Sequence, residues 1–238
     1  MVKNVPTVRL QIKYNPNKDK EESMKKFLVL FLALAFVAGF STASFAVITG
    51  SAHDFSGLPA AGGEICLPCH ASHNNDQSVT DAPLWNHEVS QAVYTTYTSP
   101  TMDAGAPPGN LDQPGGVSKL CLSCHDGTVA IDAFGGSPGS IFLPPTSDIN
   151  LGTDLSNDHP ISFIYDTALA QADGELWDPA TTPSGITGTA GGTIQDEMLF
   201  ADRLECASCH DVHNAFNNDE LLLKPNGGSA LCLTCHNK

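Results

Sequence analysis

The chain has 238 residues, with 11 basic against 26 acidic side chains, a net charge of −15 and 41% hydrophobic residues. That balance excludes a nucleic-acid partner, because no basic patch is present to release counterions from phosphates, and it sets the protein against anionic membrane surfaces.

In chain order, residues 1–23 are polar and basic without hydrophobic periodicity, and read as an upstream extension ahead of a true start at Met24. Residues 24–46 read as a signal peptide. Met24-Lys25-Lys26 is its basic end, Phe27 to Phe40 its apolar run, and Ser44-Phe45-Ala46 its cleavage site. Fourteen apolar residues fall short of the roughly 20 that span a bilayer, so no membrane anchor is expected. Cleavage after Ala46 leaves 192 residues, 47–238, with 4 basic and 23 acidic side chains.

All 8 cysteines of that portion lie in four Cys-x-x-Cys-His pentads, ending at His70, His125, His210 and His236. Their thiols are Cys66 and Cys69, Cys121 and Cys124, Cys206 and Cys209, and Cys232 and Cys235. Two thiols three positions apart can add across the two vinyl groups of one haem, and the next histidine reaches the iron as proximal ligand. A zinc ribbon needs thiolates in fours and no such histidine, and a disulfide framework does not enforce the spacing. The cofactor expected is therefore haem c, four per chain and covalent.

Gly, Pro, Ser, Thr, Asn and Asp recur throughout, as in Pro107-Pro108-Gly109-Asn110 and Gly135-Gly136-Ser137-Pro138-Gly139. Punctuation this dense predicts a mostly irregular chain with a few short helices, wrapped around a stack of four covalently bound c-type haems. Candidate helices are residues 88–97, residues 165–172 and the turns that hold the motifs. Cys66 to Asn74 and Cys206 to Asn214 share the pattern Cys-x-x-Cys-His-x-x-His-Asn, and Leu120-Cys121-Leu122 is echoed by Leu231-Cys232-Leu233. The alternation suggests two dihaem units, 47–150 and 151–238, within one tetrahaem domain.

His53, His73, His87, His159 and His213 are the remaining histidines, and each is a candidate sixth ligand. Only Met102 and Met198 follow the leader, so methionine ligation cannot be general. Bis-histidine haems have lower potentials than Met/His ones, and a full set closes the positions at which a haem enzyme binds small molecules. A catalytic site is not expected.

Ser51-Ala52-His53-Asp54-Phe55-Ser56, Ala82-Pro83-Leu84-Trp85-Asn86, Cys121 to Ala130 and Ser156 to Phe163, with the Cys-x-x-Cys-His-x-x-His-Asn unit, resemble the doubled-CXXCH cytochromes. The chain is similar, more closely, to the OmcE-type tetrahaem cytochromes that polymerise into extracellular nanowires. The resemblance implies bis-histidine ligation, little regular structure and one distal histidine donated by a neighbouring subunit. It implies His53, His159 and His213 as distal ligands within the subunit and His73 as the donated one. His87 is the reserve, with Trp85-Asn86-His87 left open as a replacement for His53.

The function expected is electron transfer in a head-to-tail homopolymer on the cell surface, with other redox proteins or extracellular acceptors as partners. A soluble periplasmic tetrahaem shuttle is the alternative. A multihaem oxidoreductase fits less well, because Arg203, Lys119, Lys224 and Lys238 are too few for a basic anion pocket.

Overall fold

Short elements follow directly from the turn-rich sequence. The structure, a computed structural model, describes residues 47–79, 81–189 and 191–238. The extension at 1–23 and the leader at 24–46 lie outside the described residues. Four helices occur among them: α1 (Gly116–His125), α2 (Thr167–Asp173), α3 (Ile194–Met198) and α4 (Cys232–Cys235). One two-stranded antiparallel sheet pairs β1 (Phe163–Ile164) with β2 (Arg203–Leu204), in the register Phe163 to Leu204. No helix among the described residues is long and apolar enough to cross a membrane.

Local chemistry sets the helix ends. Asp166 caps α2 by accepting the Leu169 N–H at 2.8 Å, and Gly174, at φ +73°, closes it in the left-handed conformation. Thr193 and Asp196 form a reciprocal capping box on α3. The helix α2 falls where one was expected.

The helix expected over residues 88–97 does not form. That segment is extended, and Ser90, Ala92 and Tyr94 turn inward while Gln91, Val93 and Thr95 face solvent, the period of a strand. Tertiary contacts hold it open. The Ser90 and Tyr94 hydroxyls both donate to the buried Asp126 carboxylate, at 2.5 and 2.6 Å, and Thr95 N–H donates to Thr153 O at 2.9 Å.

The described residues pack as one unit. One apolar cluster gathers Tyr165, Ile186, Ile194, Met198 and Leu204, and a second, smaller one holds Tyr94, Leu122 and Leu155. Each fully buried side chain of this size contributes about 1.5–3 kcal/mol. Both clusters are small, and large apolar residues such as Phe142 (52% exposed) and Trp177 (40%) stand partly in solvent. The segments 47–150 and 151–238 are tied together by Leu155 N–H on Thr95 O, Ser162 on Gly115, and Asn214 Nδ2 on Val47 O at 3.3 Å.

Candidate functional site

Each pentad forms one tight turn. The histidine N–H donates to the carbonyl of the first cysteine in His70 to Cys66 (2.8 Å), His210 to Cys206 (3.1 Å) and His236 to Cys232 (3.0 Å). A separation of three residues then places both thiols on one face of the turn. The second motif closes α1, the fourth forms α4, and the first and third are single turns.

The two Cys-x-x-Cys-His-x-x-His-Asn units share their backbone. Ala71 N–H donates to Leu84 O and Asp211 N–H to Leu221 O; Asn86 N–H donates to Cys69 O and Leu223 N–H to Cys209 O. Asn74 and Asn214 both turn left-handed, at φ 57° and 53°. These contacts bring a carbonyl back over each motif histidine. Nδ1 of His70 lies 2.8 Å from Pro83 O, Nδ1 of His210 2.9 Å from Glu220 O, and in the second motif Nδ1 of His125 lies 2.8 Å from Ile149 O. Such a contact holds the ring by Nδ1–H and leaves Nε2 as the free lone pair, the arrangement of a metal-bound imidazole.

Three of the four motif histidines face a second imidazole from elsewhere in the chain. Ring centroids are 6.1 Å apart for His125 and His53, 6.4 Å for His70 and His213, and 6.4 Å for His236 and His159. Two imidazoles sharing one metal at about 2 Å each, with about 1 Å more to each ring centre, hold their centroids about 6 Å apart. A pair at this spacing could hold one metal ion between its rings. The His70 and His213 planes lie 15° from parallel, while the other two pairs stand edge to face at 84° and 74°, and stacked or edge-to-face packing shares this distance. Burial pushes His53 down to about 4, helped by His125, His210 and His213, and its Nδ1 is buried without a partner. His236 is lowered by burial and then by His159.

His210 has no imidazole at that spacing among the described residues. His73 is exposed. His87 is buried, with Nδ1 2.8 Å from Glu88 O, Nε2 3.1 Å from Ala130 O and Nε2 3.4 Å from Cys124 Sγ. Carbonyl oxygens flank both nitrogens of this buried ring, and the neutral imidazole donates to one of them.

The thiols stand where thioether sulfurs would form. Burial pushes Cys69 and Cys209 up to about 11 and Cys124 and Cys235 up to about 12, so these groups are protonated thiols near neutral pH. Cys121 is raised by its hydrogen bond with Cys206, which lowers Cys206 in turn. The second and third motifs meet here, where the Cys206 N–H donates to the Ser118 hydroxyl of α1 at 2.9 Å.

Two acids beside the motifs escape a sequence reading. Asp126, next to His125, accepts from Ser90, Tyr94 and Thr128, and both its oxygens are satisfied. Glu205, next to Cys206, is equally buried. Only their places beside motif residues could have singled them out from the other acidic side chains.

Residues 198–238, which hold the third and fourth pentads, match a family model described as the doubled CXXCH motif. A search of the curated proteins finds no match.

Proposed function

We propose that the chain is a secreted tetrahaem c-type cytochrome that transfers electrons and polymerises head to tail into an extracellular conductive filament. The paired motifs and the family match support covalent haem c and an electron-transfer role. A haem held by two thioethers supplies a one-electron couple at its iron. In this reading His125 with His53, His70 with His213, and His236 with His159 would each hold one iron. An iron held by two imidazoles would keep no position open for a substrate, which suits carrying electrons. The contact of the second and third motifs, where the Cys206 N–H donates to the Ser118 hydroxyl, supports a relay that passes between those two sites.

The polymer rests on one observation: the repeated unit is not reciprocated within the chain. His213, trailing the third motif, stands at His70, whereas His73, trailing the first, is exposed and His210 has no partner ring among the described residues. A second copy that offered its His73 to His210 would repeat between chains the relation that His213 and His70 make within one. The resemblance to OmcE-type cytochromes supports the same donation. Such a contact is heterologous and builds an open filament unless its rotation closes a ring. Because the junction supplies part of a metal site, completing the site and assembling the polymer are coupled.

Intact-mass measurement and electron microscopy of the secreted protein test this. Four haem additions on a chain starting at Val47, in filaments with low-spin spectra, are expected. A monodisperse protein with four six-coordinate haems would be a soluble periplasmic shuttle instead. A high-spin haem in the assembled protein would point to an oxidoreductase.

A further inference from the structure

Glu205 is a buried acid for which the relay described above has no role. It is 1% exposed and directly precedes Cys206. Its Oε2 accepts from the Ser118 hydroxyl, from the Ser118 N–H at 3.3 Å and from the Ser162 hydroxyl at 2.8 Å. The Ser118 hydroxyl in turn accepts the Cys206 N–H at 2.9 Å. Three donors converging on one oxygen suit an ionised carboxylate, which only accepts.

The surroundings favour a negative charge by a second route. Ser118 is the third residue of α1, whose N-cap Gly115 provides no side-chain cap, so the carboxylate sits at the positive end of that helix. Gly116, at φ +50°, allows the approach, since a Cβ there would stand 3.0 Å from Oε1. Oε1 itself is buried without a hydrogen-bond partner. No lysine or arginine among the described residues pairs with Glu205, and Arg203 donates instead to Ser162 O at 2.6 Å. A buried carboxylate without a cation is costly, and hydrogen bonding alone does not require one.

The position of the charge offers a reason for its presence. Glu205 directly precedes Cys206 and its carboxylate accepts from Ser118, three residues before Cys121, so it lies between the attachment points of the second and third motifs. Uptake of one electron at either site would add negative charge beside it, in surroundings of low dielectric where the repulsion is strong. Net charge and burial are among the levers that a protein has on haem potential.

We propose that Glu205 is a potential-setting residue, whose buried carboxylate holds the second and third haem sites at lower reduction potentials than a neutral side chain would. This rests on the tetrahaem electron-transfer reading. Spectroelectrochemical titration of the holoprotein against Glu205→Gln and Ser118→Ala tests it. In E205Q two of the four midpoints rise, with the four-haem mass and the low-spin spectrum unchanged. Ser118→Ala removes a donor from the charge and shifts the same two midpoints downward, a result that stands even where E205Q fails to assemble. No shift in either variant, or shifts of the same sign in both, would reduce Glu205 to a structural acceptor. A parent protein with fewer than four attached haems would overturn the underlying reading instead, and the intact mass separates the two failures.

Discussion

The segments Cys66–Asn74 and Cys206–Asn214 have the same motif, the same turn and the same tether on the motif histidine, yet their trailing histidines meet different fates. His213 stands 6.4 Å from the His70 ring, while His73 is exposed. The shared features all arise within about 20 residues of the motif, from Asn in a left-handed position and a returning strand of chain. The difference arises from what packs against each unit. A motif therefore determines where its own imidazole points, but not which second imidazole arrives opposite.

The strongest test of this contrast replaces each trailing histidine. His73→Ala and His213→Ala are both expected to turn about one haem in four high-spin, because each removes one axial ligand. Only His73→Ala should also disperse the filaments or leave them short and fragile, as seen by electron microscopy. His87→Ala should leave filaments and spectrum intact and cost about 1–3 kcal/mol of stability, from its lost buried hydrogen bonds. Normal filaments with four low-spin haems in His73→Ala would move the bridging role to another histidine.

A smaller effect separates the two asparagines. Both adopt a left-handed conformation that costs an ordinary residue about 1–2 kcal/mol, so alanine at either position destabilises. Asn214 is buried and donates to Val47 O, whereas Asn74 is exposed. Asn214→Ala should cost about 1 kcal/mol more than Asn74→Ala in chemical denaturation, which measures how far the second unit is more firmly packed.

The smallest effect is acid sensitivity in the first unit. The Ser78 hydroxyl and N–H hold the Asp76 carboxylate below its ordinary value. A carboxylate depressed in the folded state stabilises it above the unfolded pKa of about 4, and that contribution is lost as pH falls through the lower folded value. Asp76→Asn should accordingly lose less stability than the parent as pH falls below about 4, followed by circular dichroism. Equal losses would mean that the exposed loop contributes nothing to holding the unit together.

How much was legible varied with the range of the interaction. The four pentads, and the sparse regular structure between them, could be read directly, because Cys-x-x-Cys-His geometry and turn residues act within a few positions. The helix α2 was legible through its own cap and closing glycine. Residues 88–97 are extended where a short helix is expected, because Asp126, more than 30 positions away, draws the Ser90 and Tyr94 hydroxyls inward. Glu205 was marked only by its place before Cys206, since nothing else in its neighbours distinguishes a buried acid from a solvated one.

Alone, then, the sequence determined the attachment chemistry and the four motif histidines, whose relation to their cysteines is set by bonds along the backbone. Only the tertiary structure decided that His53 faces His125, that His213 faces His70 and that His159 faces His236. Those rings are separated by 72, 143 and 77 positions respectively. No local preference can encode an encounter over such distances. It depends on how the whole chain closes its loops around the contacts that hold it, Glu205 to Ser118 and Asp126 to Tyr94 among them.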